Sequence, residues 1–292
     1  MINYIKMDLF RLFKSVSFYV CSLVLLIMIS ATISEVRVIE REGKEQGMEE
    51  AVNNADTKET GFFTASYEGE EKEEIVLGGV SVAPLIVAEK GTLSSCMNSL
   101  YSGNVIQFVV LLIISIFICN EFASGYIKNT IMIPKHRWIF NISKLVTAFV
   151  VILVENIIAI LSFVFAIRFI FKNMVIGDIK QLMGYLALET ILLLGMSALV
   201  LLVCHFVRSR VVGIIFALLM GLQVVAVPII GVFCMVLEYK FEKVCKFLLT
   251  LTANTIAPGL GHQAVMEVLA LGIGTLVVYT LFSNLVLSNK DI

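Results

Sequence analysis

Long apolar runs recur along the chain and are separated by polar segments. A helix rises about 1.5 Å per residue, so roughly 20 apolar residues cross the hydrocarbon core of a bilayer. Six runs approach or exceed this length: Val16–Ile33, Val105–Cys119, Leu145–Ile167, Leu182–Val203, Val211–Leu237 and Val268–Leu287. The pattern predicts six transmembrane helices. The second run is short, so its helix should begin near Tyr101, and the fifth should kink at Pro228.

The composition agrees with this pattern. Of the 292 residues, 59% are hydrophobic and only 15% are charged, and the mean hydropathy is +0.94. A soluble domain carries about a quarter charged residues, so this chain needs lipid as its solvent. We predict an all-α integral membrane protein in which residues 1–292 form a single transmembrane domain, with membrane lipid as a partner and no nucleic acid.

The charged residues between the predicted spans differ in sign from one side to the other. The N-terminus and the connections after spans two and four carry net charges of +2, +3 and +2, whereas residues 34–104 contain 14 acids and 6 bases. Lys and Arg near span ends are retained in the cytoplasm, so both termini should be cytoplasmic in a multi-pass plasma-membrane protein. Only the connection between spans three and four, with Arg168, Lys172 and Lys180, departs from this rule.

The first 15 residues have the pattern of an amphipathic helix. Between Asn3 and Lys14, four apolar residues share one helical face: Ile5, Leu9, Leu12 and Phe13. Asp8, Arg11 and Lys14 are turned away from that face, as is typical of a helix that lies in the membrane interface. The alternative is a plain cytoplasmic extension of span one.

Residues 34–104 are too long for a simple connector and form a predicted extracellular insertion. Glu35–Glu59 has a helix-forming composition, Glu68–Glu74 is densely acidic, and Ile75–Val87 contains short apolar runs around Gly and Pro that suggest strands or a turn. Two interpretations stay open. The insertion either receives cationic or peptide ligands or is a solvated acidic face that keeps the segment outside.

The predicted cytoplasmic connection between spans two and three, residues 120–143, carries the most specific pattern. An apolar stripe that includes Phe122 and Tyr126 predicts a short helix ending at Pro134. The spacing of Glu121, Gly125, Lys128, Pro134 and Arg137 is similar to the corresponding segment in permease subunits of ABC-2-type ATP-binding-cassette transporters. In that family, this segment is the coupling helix that docks on the ATPase subunit. Tyr126 departs from the family pattern, in which Thr is frequent.

The resemblance implies further features. It implies six spans with cytoplasmic termini, an interfacial N-terminal helix and a re-entrant outer hairpin before span six, here residues 238–266. It also implies a bacterial permease subunit for ATP-driven export of a peptide, antibiotic, lipid-like or other amphipathic substrate. The implied partners are cytosolic ABC ATPase subunits and a second permease copy or paralogue. ATP and Mg would be bound by the ATPase, and this chain would need no cofactor.

Motifs for catalysis are missing from the sequence. No GxxxxGK[ST] phosphate loop, HExxH pair or GxSxG elbow occurs. We therefore expect a non-catalytic membrane subunit with ATP hydrolysis in a partner chain. An alternative from another class is a membrane anchoring or sensory protein that binds ligands through its acidic extracellular segment.

Two carboxylates lie within the predicted spans. Glu155 is roughly 16 Å beyond Lys144, near the membrane centre, and Glu189 is about 10 Å into span four. An ionised carboxylate at such depth is costly, so each should face protein, water or a cation. Glu155, with Asn156, and Glu189 either line a pathway for a cationic or amphipathic substrate or lock helices together, with Arg168 as the partner of Glu189.

Small residues recur every fourth position in span five, at Gly213, Ala217 and Gly221. Such spacing permits close helix contact, either in a dimer seam or within the chain. Among six cysteines, only Cys96 and Cys245 lie in polar surroundings, where we expect two unpaired thiols rather than a disulfide. No Cys or His spacing predicts a metal site.

Overall fold

A computed structural model of the chain describes residues 2–46, 92–125, 137–170, 177–223, 252, 256 and 262–289. These residues form eight long or short α-helices. They are α1 (Ile2–Lys14), α2 (Val16–Gln46), α3 (Leu93–Ser102), α4 (Val105–Ala123), α5 (Arg137–Phe169), α6 (Ile179–Val207), α7 (Arg210–Gly221) and α8 (His262–Asn289).

Five of the helices contain a stretch long and apolar enough to cross a bilayer. The stretches are Val16–Ser34, Val105–Phe122, Trp138–Phe169, Ile179–Val207 and Gln263–Leu287. They correspond to predicted spans one, two, three, four and six, so the all-α membrane class is confirmed. Large apolar side chains on the outer faces of α2, α5 and α8 remain exposed, as helices surrounded by lipid require.

The predicted fifth span is described only over its first turns. Helix α7 has 12 residues and ends at Gly221, which is too short for a membrane crossing. The chain then turns at Leu222 and at Gln223, whose φ is 56°. The helix therefore ends before the predicted kink at Pro228, which lies outside the described residues.

The second span begins later than its sequence suggested. Asn104 has a φ of 60° and separates α3 from α4, so the span starts at Val105 and Tyr101 belongs to a different helix. Asn is one of the few residues other than Gly that tolerate this left-handed conformation. A break after Gly103 is thus compatible with the local sequence, although the shortness of the apolar run suggested a helix that begins near Tyr101.

Helix α3 lies inside the bundle, although residues 34–104 were expected to be extracellular. Thr92 begins the helix with a capping box that it forms with Ser95. Seven of the ten residues are buried, among them Cys96, Met97 and Tyr101. Because α3 packs against α4, α5 and α6, the last part of the predicted insertion is a buried element of the transmembrane domain.

Other predicted segments fall partly or wholly outside the described residues. Helix α2 continues beyond its span to Gln46, in agreement with the helix-forming composition there, and residues 47–91 are outside the described part. Of the predicted coupling segment, Tyr126, Lys128 and Pro134 lie outside. Most of the predicted outer hairpin also lies outside, and its last residues, 262–266, form the first turn of α8 rather than a hairpin.

Candidate functional site

A buried group of four charged side chains joins α1, α4 and α5. The ammonium nitrogen of Lys144 lies 2.8 Å from Asp8 Oδ1 and 2.6 Å from Glu121 Oε1. Glu121 Oε1 also accepts a hydrogen bond of 3.0 Å from Arg11 Nη1. Asp8, Glu121 and Lys144 are buried, and Arg11 is about one-third exposed. We call these four residues the Lys144 cluster.

Neighbouring side chains fit the Lys144 cluster closely. The Lys144 ammonium lies 5.0 Å from the ring centroid of Phe117 and 4.8 Å from that of Phe140, within the range of cation–π attraction. Ser143 Oγ donates a hydrogen bond of 2.5 Å to the second carboxylate oxygen of Asp8. Two acids and two bases balance in charge, which offsets part of the cost of removing them from water.

The Lys144 cluster lies at the base of the connection between α4 and α5. Glu121 is in the last turn of α4, which ends at Ala123, and Lys144 is two turns into α5, which begins at Arg137. Their ion pair therefore holds together the two helix ends between which residues 126–136 run. Asp8 adds the N-terminal helix to the same contact.

The geometry corrects two expectations. Glu121, expected to contact an ATPase, is fully enclosed by this chain and ends a membrane span. Asp8 and Arg11, expected on the outer polar face of α1, instead point at α4 and α5. The exposed residues of α1 are both apolar and polar: Ile2, Phe10 and Phe13 together with Asn3, Lys6 and Lys14. Helix periodicity defines two faces, but it does not tell which of them meets protein and which meets lipid.

A second polar contact joins α6 and α8 beside Phe122. His205 Nδ1 lies 2.7 Å from Ser283 Oγ, and its ring contacts Phe122 and Phe140 at centroid distances of 5.6 and 5.8 Å. Phe122, expected in a coupling helix, packs within the bundle. Gly125 forms the turn after α4 with a φ of +68°. Together with the Lys144 cluster, which adds α1, this contact brings five helices together at one end of the domain: α1, α4, α5, α6 and α8.

Glu155 is enclosed in the bundle, where its carboxylate has a neutral partner. Ser22 Oγ on α2 donates a hydrogen bond of 2.6 Å to Glu155 Oε1. The adjacent Asn156 accepts a hydrogen bond of 2.7 Å from the Tyr101 hydroxyl of α3. These contacts join α2 and α3 to α5 near the middle of the span. None of the ion pairs within the described ranges involves Glu155.

Glu189 is also fully buried, and the structure does not pair it with Arg168. Arg168 is exposed near the end of α5, whereas the buried carboxylate of Glu189 has the Tyr185 hydroxyl as its polar neighbour. One turn before it, the Tyr185 hydroxyl donates to Asn98 Oδ1 at 3.2 Å. The Tyr185 and Tyr101 rings pack edge to face at 5.8 Å. Sequence spacing placed Arg168 at a similar depth but could not orient its side chain.

The small residues of α7 pack against α4 within this chain. Gly213, Ala217 and Gly221 are all buried. A Cβ atom at Gly213 would lie 2.5 Å from Cys119 Sγ, and one at Gly221 would lie 2.8 Å from the Phe108 Cα atom. These three positions therefore serve close packing inside the protein, and the dimer-seam alternative does not apply to them.

The described cysteines are free thiols in apolar surroundings. Cys21, Cys96, Cys119 and Cys204 are buried and form no disulfide. Burial raises the pKa of the Cys96 thiol to about 12. Cys96 was expected in a polar segment, and its burial follows from the inward position of α3. Cys245 lies outside the described residues. Within the described ranges, no three His, Cys, Asp or Glu side chains are grouped as metal ligands.

A comparison with protein families decides the class. Residues 88–224, nearly half of the chain, match the family described as "ABC-2 family transporter protein". Over these residues, the chain is similar to ABC-2-type permeases, and we call it the permease below. A comparison with curated proteins finds no match for the permease.

The family match covers α3 to α7 of the permease. It includes Glu121, Lys144 and Glu189, and it ends before α8 and begins after α1. Half of the Lys144 cluster thus lies within the matched segment, whereas Asp8 and Arg11 lie outside it. Permeases of this family are membrane transport components that work with an ABC ATPase.

Sequence reasoning missed the central residue of the site. Lys144 was counted only as a positive charge at the start of span three. A signal was nevertheless available. This lysine precedes a long apolar run, and 22 residues separate it from an acid at the end of the preceding run. His205 gave no such signal, because it is a single polar residue in an apolar stretch.

Proposed function

We propose that this permease forms the membrane pathway for ATP-driven export and that separate cytosolic ABC ATPase subunits dock on the connection between α4 and α5. The proposed cargo is a peptide, antibiotic, lipid-like or other amphipathic molecule. The observation that carries the proposal is the ion pair between Glu121 and Lys144 at the two ends of that connection, in a chain that matches the ABC-2 family.

The Lys144 cluster offers a physical route from the connection to the rest of the domain. Because the Glu121–Lys144 pair is buried, separating it leaves each of the two charges with one remaining partner, Arg11 or Asp8, in a medium of low dielectric constant. A force on residues 126–136 would therefore move the ends of α4 and α5 as one body. Asp8 and Arg11 would carry the displacement to α1.

In this proposal, Glu121 positions the docking segment and does not contact the ATPase. The docking contacts belong to residues beyond α4, for which Lys128 and Arg137 are the proposed charged participants. Two copies of the permease, or one copy with a paralogue, enclose the pathway, and ATP and Mg are bound by the ATPase. Both termini are proposed to be cytoplasmic in a bacterial plasma membrane, because the positive charges lie at that end.

A pull-down with charge variants tests the docking. The tagged full-length permease would be expressed in its native host, and ABC ATPase subunits that copurify would be quantified. Lys128→Glu and Arg137→Glu should each reduce the recovered ATPase severalfold, because each reverses a charge of the proposed docking segment. Lys180→Glu, an exposed lysine at the start of α6, is the matched control.

Two results would contradict the proposal. If Lys128→Glu and Arg137→Glu recover as much ATPase as wild type does, the ATPase does not dock on this connection. Native-membrane preparations in which no ATP-binding subunit copurifies with the wild-type permease would favour the anchoring or sensory alternative.

A further inference from the structure

Two cysteine side chains meet between α4 and α6. The Sγ atoms of Cys119 and Cys204 are 3.6 Å apart, and both residues are free thiols. Each of them is at most 2% exposed. Among the described residues, the other free thiols, Cys21 and Cys96, make no such contact with a second sulfur atom. The close approach of two thiols is therefore particular to this place in the fold.

The backbone of α7 leaves room around the two sulfur atoms. Gly213 faces them, and a Cβ atom there would lie 2.5 Å from Cys119 Sγ and 3.0 Å from Cys204 Sγ. Any residue with a side chain at this position would press on both thiols. A disulfide has an S–S bond of about 2.05 Å, so the two sulfur atoms must approach each other from 3.6 Å to form one. The absence of a side chain at Gly213 leaves them space for this movement.

The pair of thiols lies close to an exposed turn. Cys119 Sγ contacts the carbonyl oxygen of Ser209 at 3.9 Å. Ser209 is partly exposed and stands between Arg208 and Arg210, both of which are exposed, in the turn that joins α6 to α7. Cys119 therefore lies directly beneath this turn, where a small uncharged oxidant can approach it.

We propose that Cys119 and Cys204 are a site of oxidative modification, at which hydrogen peroxide converts the two thiols into a disulfide. The sulfur of Cys119 attacks one oxygen of the peroxide, the O–O bond breaks, and a sulfenic acid forms. Cys204 then attacks the sulfenic sulfur, so that the S–S bond forms and the S–O bond breaks. The two thiol protons leave with the two oxygen atoms as water. The sulfur atoms lose two electrons in total, and the peroxide gains them.

The disulfide would tie together the ends of two membrane-spanning helices. Cys119 precedes Glu121 of the Lys144 cluster by two residues in α4, and Cys204 is in the last turn of α6. The two cysteines are 85 positions apart in the chain, so the bond would close a long loop and restrict the unfolded chain. This inference concerns the permease chain alone and does not depend on the proposed export function.

Peroxide treatment of the permease in lipid nanodiscs tests the site. The full-length protein would be treated with hydrogen peroxide, unfolded in the presence of N-ethylmaleimide and digested without reductant. Mass spectrometry would then identify the disulfide-linked peptides. We expect a peptide pair joined through Cys119 and Cys204, and at least tenfold less oxidation of Cys21 and Cys96. The bond should also raise the melting temperature by about 5 °C.

Single variants separate the pair from general oxidation. Cys204→Ser should leave Cys119 as a sulfenic acid, which dimedone traps on unfolding, with no disulfide and no rise in melting temperature. Cys21→Ser is the matched control and should form the disulfide in the wild-type yield. Gly213→Ala should lower the yield severalfold, because its Cβ atom displaces the sulfur atoms. If Gly213→Ala fails to fold, the comparison of Cys204→Ser with Cys21→Ser decides.

Four results would overturn the site: recovery of Cys119 and Cys204 as thiols, equal oxidation of Cys21 and Cys96, a disulfide that forms only after unfolding, or a bond from Cys119 to another cysteine. A disulfide that leaves the melting temperature unchanged would overturn the tie between α4 and α6. Because no ATPase or cargo takes part in these measurements, their failure leaves the proposed docking intact. Conversely, a failed pull-down does not affect the result for the disulfide.

Discussion

Lys144 and Glu121 form a buried ion pair of 2.6 Å across the two helices that flank the connection between spans two and three. The same ammonium group lies 2.8 Å from Asp8, so one side chain joins the N-terminal helix to both. Such a contact contributes to the rigidity of the domain only while all its members are present, because each carboxylate that loses its partner stays buried.

Replacing Lys144 with Met should strongly destabilise the permease. Among the described residues, the substitution leaves Asp8 without an ion-pair partner and Glu121 with only the partly exposed Arg11, and breaking a buried pair costs about 3–5 kcal/mol. Arg11→Met should cost about 1 kcal/mol or less, because that residue is partly solvated. Thermal unfolding in detergent would compare the two. Similar melting temperatures for both variants would show that the Lys144 cluster does not hold the helices together.

Adding a methyl group at the small residues of α7 should be harmful where the packing is closest. Gly213→Ala and Gly221→Ala would press against Cys119 Sγ and the Phe108 backbone, and overpacking costs typically about 1–3 kcal/mol. Gly184→Ala is the control. Nothing lies within 4 Å of a Cβ atom there, so the change should be neutral or stabilising by up to about 1 kcal/mol. Unchanged melting temperatures of all three variants would argue against the contact between α7 and α4.

Tyr101→Phe should loosen helix α3. The change removes the hydrogen bond to Asn156 and leaves a buried amide oxygen without its donor, at a cost of about 1–3 kcal/mol. Hydrogen exchange of the α3 amides, followed by mass spectrometry, should become faster. Tyr19→Phe is the control, because Tyr19 is exposed and water can replace its bond to the Phe13 carbonyl. Equal exchange in α3 for both variants would mean that Tyr101 does not anchor this helix.

Cys96 should resist alkylation in the folded permease. With a thiol pKa of about 12, only a very small fraction is thiolate at pH 7, and that fraction rises tenfold with each pH unit up to the pKa. Labelling by N-ethylmaleimide, located by mass spectrometry, should therefore be slow at pH 7 and faster at pH 9, and rapid after unfolding in detergent. Rapid labelling of the native permease at pH 7 would place α3 outside the bundle.

The sequence sufficed to predict what depends on the length and apolarity of single segments. Three spans agree with their predicted positions, and most of their ends differ by only a few residues. They are Val16–Ser34, Trp138–Phe169 and Ile179–Val207. The inward face of α1 could not be predicted in this way. Asp8 and Lys144 are far apart in the sequence, and a polar face that meets protein has the same periodicity as one that meets water.

The same limit applies to α3 and to Glu189. The composition of residues 93–102 is mixed, and only the packing against α4, α5 and α6 shows that this helix is buried. The depth of Glu189 was predicted from the helix rise. That Arg168 does not reach it depends on the rotation of α5 about its axis, which charge counting does not provide.

The length of helix α2 has a consequence for the chain that follows its span. It continues for 12 residues beyond Ser34, where the apolar stretch ends, so Gln46 lies about 18 Å farther along the helix axis. This distance is about twice the Debye length of roughly 8 Å at physiological ionic strength. Salt therefore largely screens a charge at the end of α2 from charges at the end of its apolar stretch. Helix α2 is thus a spacer between the span and the chain that follows Gln46.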